Sequence, residues 1–518
     1  MIISYADSAL SVLPPLVAIT LAILTRKVLL SLGVGIVFGA LLLTDFSLVS
    51  SGEYILNTAS QLVWKDAALN SWNVYILGFL IVLGMITALI TVSGSARAFA
   101  DWAKLRIRNK RDAKLMTMFL GCVVFIDDYF NSLVVGSISR PITDRYHISR
   151  AKLAYILDST AAPVCVISPV SSWGAYIIAL IGGILTAHGF TDSGHLSVFI
   201  QMIPMNFYAI FSLLLLLCVA TFSLDVGPMR QHELNALRGN LFDESKGQPP
   251  GAVTDLPEAD TGKVIGLFLP IAVLVFATVY FMVSSGADVL ATKDLPFNVL
   301  GAFENTDVSS SLFFGSVIGL MATLILAIQQ KVDLSMLLKG MSVGARSMLP
   351  AIYILLFAWT ISSVIGQLET GKYMASLATD NIPFALLPAV LFLLAGITAF
   401  STGTSWGTFG IMLPIAADMA MGSDSTMMLP MLAAVLSGAV FGDHCSPISD
   451  TTILSSTGAS CHHIDHVVTQ LPYALIAALI SLVGYTVLGF TGSLIAGLVC
   501  CSMLFVISVV VLHFWAKK

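Results

Sequence analysis

The sequence predicts an all-α polytopic membrane protein: an inverted repeat of five transmembrane helices plus one re-entrant hairpin in each half, two discontinuous helices, and an extra C-terminal helix. Three observations predict it. Of the 518 residues 57% are hydrophobic and only 11% charged, the mean hydropathy is +0.91, and apolar runs long enough to cross a bilayer recur from end to end. Two polar Ser-Pro interruptions, Ile167-Ser168-Pro169-Val170-Ser171-Ser172 and Cys445-Ser446-Pro447-Ile448-Ser449-Asp450, break otherwise apolar stretches. Basic residues crowd both flanks of one apolar stretch.

Taken in order, spanning stretches fall at 9–25, 28–50, 73–93, 153–187 (interrupted), 197–222, 263–284, 309–330, 347–367, 429–457 (interrupted), 467–490 and 491–515. Met1 to Pro15 holds no basic n-region and no small-residue cleavage site, so the first helix is expected to stay. The stretch 115–139 is preceded by Arg97, Lys104, Arg106, Arg108, Lys110, Arg111 and Lys114 and followed by Arg140, Arg145, Arg150 and Lys152. A single crossing would put one basic cluster outside, against the positive-inside rule, whereas a re-entrant hairpin keeps both cytoplasmic. Around 386–416 the loops 368–385 and 417–428 hold one basic residue, Lys372, which fits a hairpin dipping in from the opposite face. Five spans per half invert the second half relative to the first.

The repeat has a short internal match. Pro141-Ile142-Thr143-Asp144 resembles Pro414-Ile415 with Asp418, the Ser-Pro breaks follow at similar distances, and the register sets Asn131-Ser132 opposite Thr404-Ser405. The expected organisation is an N-terminal repeat over 1–222, a cytoplasmic linker over 223–262 rich in Asp, Glu, Gln, Gly and Pro, and a C-terminal repeat over 263–490. The extra helix over 491–518 ends in Lys517-Lys518, so the C-terminus is expected in the cytoplasm and the N-terminus outside.

The polar residues inside these stretches are the site candidates. Adjacent carboxylates at membrane depth, as in Phe125-Ile126-Asp127-Asp128-Tyr129-Phe130-Asn131-Ser132, cost roughly 2.5–3.5 kcal/mol each to insert and call for a cation, a proton or a partner. Asp127, Asp128 and Asn131 offer the hard oxygens a small cation prefers. Alternatively one Asp caps a short helix and the other bridges to a basic neighbour such as Arg140. In the first break, Asp158, Ser159, Thr160, Ser168 and Ser172 surround Pro163 and Pro169, whose spacing prevents a regular helix and frees carbonyls as ligands. The alternative there is a kinked packing helix whose Ser and Thr bond back to their own carbonyls.

The second break gathers Asp443, His444, Ser446, Ser449, Asp450 and Thr451. Consecutive Asp-His-Cys does not readily converge on one transition metal, so an oxygen site for sodium or a proton carrier fits better, with His444 either a second proton carrier or a structural histidine. Ser401, Thr402, Thr404 and Ser405, with Gly403 and Gly407, make an uncharged hairpin tip that a ligand can approach closely. One hairpin is acidic and the other neutral, as expected if an ion sits nearer one half and another solute nearer the other. Cys461-His462-His463-Ile464-Asp465-His466 reads as a solvated loop, with pH sensing as its alternative.

Other classes fare poorly. The seven cysteines are scattered without CxxC spacing, no basic patch suits nucleic acid, and the net charge of −5 matters less than its placement. No nucleophile-elbow, HExxH or P-loop spacing occurs, which argues against an enzyme and against an ATP-driven pump.

Through Asp127-Asp128-Tyr129-Phe130-Asn131, Arg140-Pro141, Asp158-Ser159-Thr160-Ala161-Ala162-Pro163, Ser171-Ser172-Trp173-Gly174 and Gly442-Asp443-His444-Cys445-Ser446-Pro447-Ile448-Ser449-Asp450-Thr451-Thr452, the chain resembles the NhaC family of sodium/proton antiporters. The resemblance implies a bacterial inner-membrane transporter of elevator type, with a mobile transport domain, a scaffold that often makes a homodimer, and no cofactor beyond sodium and protons. It leads to a sodium/proton antiporter with Asp127, Asp128, Asn131, Asp443 and Asp450 as sodium candidates. The alternative is a sodium- or proton-coupled carrier of a small polar metabolite such as an amino acid or organic acid.

Overall fold

The computed structural model describes residues 5–517 except 26, 66, 105–106, 126, 170, 189–193, 252–257, 371–372, 374–382 and 424. Of the positions used above, Met1, Arg106, Ile126, Val170, Lys372 and Lys518 lie outside the described residues.

The chain is helical almost throughout. It opens with α1 (Leu13–Thr25), α2 (Val28–Leu43), α3 (Leu48–Gln61), α4 (Ser71–Val92) and α5 (Ser95–Lys104). A small antiparallel pair, Trp64–Lys65 with Ala68–Leu69, precedes α4. The expected span 28–50 is corrected here: α2 stops at Leu43, and α3 leaves it at 120°. The polar run Thr44-Asp45-Phe46-Ser47 makes this turn, with Thr44 Oγ1 donating to Ala40 O at 2.8 Å, Asp45 and Phe46 at φ 53° and 58°, and Ser47 capping α3.

The first hairpin is α6 (Lys110–Val123) and α7 (Asp128–Arg145), whose feet are joined where Lys110 Nζ donates to His147 O at 2.8 Å. The first break separates α8 (Arg150–Cys165) from α9 (Ser172–Ala187), and α10 (His195–Met202) and α11 (Phe207–Phe222) follow. Beyond α12 (Gly227–Leu237) come α13 (Ile265–Thr292), α14 (Val299–Glu304), α15 (Val308–Gln329), α16 (Leu334–Ser347) and α17 (Leu349–Gln367).

The second hairpin is α18 (Leu387–Thr402) and α19 (Ser405–Ser423). Its turn needs glycine: Gly403 has φ +71°, and a Cβ there would stand 2.6 Å from Ile448 O. The second break parts α20 (Met428–Cys445) from α21 (Asp450–Gly458), and α22 (His463–Thr491) and α23 (Leu494–Lys517) end the chain.

Among the described residues nine helices are long and apolar enough to cross a membrane, or ten if α2 and α3 make one bent span. The sequence reading expects eleven spans. Two expected spans fail this test, α1, which at 13 residues rises only about 20 Å, and the first interrupted stretch, which is split into two helices of 16 residues each, while Phe384–Thr402, expected as an arm of the second hairpin, passes it.

The helices pack in two sets. In one, α13 lies on α15, α15 and α16 lie on α4, and α17 lies on α2; in the other, α7 lies on α8 and α21, α18 on α20, and α11 on α22. The sets meet where α17 touches α21, around Ile361, Ile448 and Ile453, and again where α9 meets α14 and α5 meets α7.

The segment after α11 is docked on the second set by buried polar contacts. Asp225 pairs with the fully buried Lys152 at 2.6 Å, and Glu233 accepts from Ser149 N and Oγ (2.9 and 2.7 Å) while pairing with Lys110 at 2.8 Å. Tyr473 Oη donates to Leu224 O (2.8 Å) and accepts from Val226 N (3.2 Å), and Lys246 pairs with Asp465 at 2.6 Å. Removing one partner of a buried pair strands the other charge, so Asp225→Ala should cost about 3–5 kcal/mol. Thermal unfolding of the purified protein in detergent should show a lowered midpoint, with most of the loss recovered by the double variant K152M/D225L. An unchanged midpoint for D225A would contradict a stabilising role for the Asp225–Lys152 pair.

Candidate functional site

The first turn of α7 is set by Asp127, whose extended backbone and side chain cap the helix by accepting Phe130 N at 3.1 Å. Capping leaves Asp127 Oδ2 to accept Ser172 Oγ (2.9 Å), at the start of α9, so the acidic tip is tied to the first break. Asp128 Oδ1 accepts Trp173 Nε1 at 2.9 Å, while its Oδ2 is buried with no hydrogen-bond partner among the described residues. The capping alternative thus describes Asp127, but neither Asp bridges to Arg140, which donates instead to Gly251 O and Ser460 Oγ.

Tyr129 Oη donates to Asp450 Oδ2 and so joins the acidic hairpin to the second break. Asp450 Oδ1 accepts Thr451 N at 2.9 Å. Asn131 donates its amide to Gly121 O, Val124 O and Thr160 O (2.6, 2.8 and 3.2 Å), which closes the hairpin against α8 and leaves its own oxygen buried and unpartnered among the described residues.

These pieces border a cavity of about 490 Å³. Asp127, Asp128 and Tyr129 line it from the first hairpin, Thr402, Gly403, Thr404 and Trp406 from the second, and Asp450 from the second break. Trp72, Asn73, Ala358, Trp359 and Ser362, from α4 and α17, complete the wall. Both hairpin tips therefore serve one cavity, where the sequence reading divides an ion from a second solute. Three carboxylates face it, and among the described residues no Lys, Arg or His lines it.

Asp443 lies just behind this wall. Thr451 Oγ1 donates to its Oδ2 at 3.2 Å and is itself 2.9 Å from Ser449 Oγ, whereas Asp443 Oδ1 is buried and unpartnered among the described residues. The other second-break hydroxyl, Ser446 Oγ, donates to Phe400 O at 2.7 Å.

Asp158 stands apart and is fully engaged. It accepts Thr452 and Ser455 hydroxyls (both 3.3 Å), His466 Nε2 (3.1 Å) and Gln470 Nε2 (2.6 Å). His444 has both ring nitrogens engaged: Nε2 donates to Asp158 O (3.2 Å) and Nδ1 accepts Tyr208 Oη (3.1 Å). Ser159 lies beside Tyr155, Tyr208 and His444, away from the cavity. Thr160 Oγ1 bonds back to Ile156 O at 2.9 Å, as the packing-helix alternative expects. Ser168 O accepts Ser171 Oγ (2.9 Å), Thr402 Oγ1 donates to Thr398 O (2.9 Å), Ser405 Oγ donates to Ala439 O (3.2 Å), and Ser401 Oγ is buried without a partner among the described residues.

The expected solvated loop at 461–466 is corrected. Cys461, His463 and His466 are buried, because His463 Nε2 donates to Pro447 O at 2.7 Å and His466 serves Asp158; His462 alone of the three histidines is partly exposed. A second cavity, of about 520 Å³, lies between the linker and α22 at His232, Lys246 and Asp465, and none of the predicted site residues lines it.

Sequence reasoning missed the aromatic wall and the Asp158 partners His466 and Gln470. A signal for the wall existed: Ser172-Trp173-Gly174 and Ser405-Trp406-Gly407 repeat a triad, each beginning a helix. The structure brings their indoles edge to face, with centroids 5.9 Å apart.

Comparison with known proteins gives the chain's kinship. The profile of the Na+/H+ antiporter family matches residues 164–490. An uncharacterized protein of Haemophilus influenzae is 50% identical over 518 residues, 100% of this chain and 97% of that protein. The malate-2H(+)/Na(+)-lactate antiporter of Bacillus subtilis is 34% identical over 28% of this chain and 31% of its own length. The arginine/ornithine antiporter ArcD of Halobacterium salinarum is 34% identical over 29% of each. The chain is a multi-pass membrane transporter, not an enzyme, and belongs to the Na+/H+ antiporter family.

Proposed function

We propose that the protein exchanges sodium for protons by secondary active transport, with coupling at Asp127, Asp128, Asp443 and Asp450. The observation that carries this reading is the convergence of three carboxylates, the buried Asp127 and Asp128 and the half-buried Asp450, on a cavity with no basic lining residue among the described residues. Neighbouring carboxylates in an apolar surrounding do not all stay ionised without a compensating cation. Sodium and protons then compete for the same oxygens, and a site that takes one ion at each face exchanges them. Asp128 Oδ2, Asp443 Oδ1 and Asn131 Oδ1, each without a partner among the described residues, are oxygens free to take part.

The alternating step we assign is an elevator movement of the second helix set, carrying both hairpins and both breaks, against the first. The inverted repeat over 1–222 and 263–490 is part of this proposal, and the sorting of matching segments supports it: the early helices of each half share one set, and the hairpins and breaks share the other. Both feet of the first hairpin lie at the linker end, which supports a re-entrant hairpin, a cytoplasmic linker and C-terminus, and an external N-terminus. A homodimer through the first set and a bacterial inner-membrane location belong to the same reading.

A second reading is favoured by one observation, the size of the cavity. At about 490 Å³ it is in the range of small-molecule sites and far exceeds what a bare ion needs. A coupled carrier of a small organic solute would place that solute between Thr402, Thr404 and the carboxylates. The relatives' named cargoes carry charges of both signs, so they leave the sign of such a solute open.

Purified protein in liposomes, given an imposed sodium gradient, should move protons, read as a change of internal pH. Asp450→Asn should reduce this flux to that of protein-free liposomes; sodium-driven flux unchanged in D450N would remove Asp450 from the coupling site. Asp158→Asn should act differently, because it weakens charge-assisted hydrogen bonds worth about 1.5–3 kcal/mol each. Its thermal midpoint should fall while the sodium concentration for half-maximal flux stays as in the parent, and a large shift in that concentration would make Asp158 a coupling residue.

A further inference from the structure

We propose that the solute carried in the 490 Å³ cavity is a small organic cation bearing a primary ammonium group, held by Asp128 and seated against Trp406. The inference rests on the organic-solute reading and specifies its chemistry.

Asp127, Asp128 and Asp450 face the cavity, and its described lining holds no Lys, Arg or His. An anionic solute would meet three carboxylates and no counter-charge, and a neutral one would leave the carboxylates to be compensated by other ions. A cation compensates them itself, and competes for them with sodium and protons, which is the coupling that exchange requires.

The aromatic lining favours a cation independently of the carboxylates. Trp72, Trp359, Trp406 and Tyr129 share the same lining, and the faces of such rings attract organic cations. Trp406 is braced on three sides, edge to face with Trp72 (6.3 Å between centroids) and Trp173 (5.9 Å), and beside Tyr176 (4.7 Å). A ring held this way loses little freedom when a ligand docks.

The acidic and aromatic walls join at Asp128. Trp173 Nε1 donates to Asp128 Oδ1, and this contact leaves Oδ2 with no hydrogen-bond partner among the described residues, although Asp128 is only 1% exposed. Asp127 and Asp450 each have both oxygens engaged by protein donors. An ammonium group, with three N–H donors on a compact charge, supplies what Asp128 lacks while its alkyl chain lies along the indoles.

The test uses full-length protein purified in detergent, with binding read from tryptophan fluorescence, and four probes of similar length: L-lysine, pentane-1,5-diamine, L-norleucine and glutarate. At least one of the two amines should bind about ten-fold or more tightly than norleucine and glutarate, and sodium should weaken that binding. Trp406→Leu should lose most of the preference, while Trp406→Phe, which keeps an aromatic face, should retain it. Equal losses in W406L and W406F would overturn the role of Trp406. Glutarate or norleucine binding as tightly as both amines would overturn the cation assignment while leaving the organic-solute reading intact. Failure of all four probes to bind, with sodium-driven proton flux present in liposomes, would overturn the organic-solute reading and this inference with it.

Discussion

A carboxylate enclosed by apolar helices must be hydrogen-bonded, protonated or joined by a cation, and this constraint organises the molecule. Its membrane-depth aspartates, all buried but the half-buried Asp450, meet it in different ways. Asp158 takes four side-chain donors from α21 and α22 and becomes a knot between α8 and the region beyond the second break. Asp127 spends one oxygen on capping α7 and the other on Ser172. Asp450 is met by Tyr129 and by Thr451 N. Asp128 and Asp443 each keep one oxygen that no described residue satisfies, and those two flank the region where hairpin and break meet.

The breaks follow from the same constraint. Pro169 and Pro447 interrupt helices, and the freed polar groups are taken up within the protein: Ser171 Oγ donates to Cys165 O at 2.7 Å, and His463 Nε2 donates to Pro447 O at 2.7 Å. Short helices then begin beside the cavity, α9 with Ser172 and α21 with Asp450. Close backbone approach makes this compact. A Cβ on Gly136 would stand 2.6 Å from Gly458 O, so α7 and α21 touch only because both positions are glycine. The polar elements of both halves thereby share one set of helices, and the cavity lies between that set and α4 and α17 of the other.

Much of this was legible in the sequence because its signals are local. The hairpin tip at Ser401 to Ser405 and the breaks at Ser168-Pro169 and Ser446-Pro447 are marked by residues that stop helices, and the structure turns at each. The run 28–50 was not, because the bend rests on the short stretch Thr44 to Ser47, which holds neither proline nor glycine. What stayed hidden was long-range pairing. Asp158 and His466 lie 308 positions apart, and nothing local ties them, so His463 and His466 look like a solvated loop until α21 folds back over them. The tryptophans of the cavity were hidden for another reason: an indole on an apolar helix face gives no sign of whether it meets lipid, core or a solute.

The central claim is that sodium and protons compete for the same buried carboxylates. Its most direct measurement is proton release on sodium addition to purified protein in weakly buffered detergent solution, with potassium as the control. The account predicts release that saturates with sodium, is absent with potassium, and is diminished in the variant Asp450→Asn. Sodium that binds without releasing protons, or equal release with potassium, would contradict it.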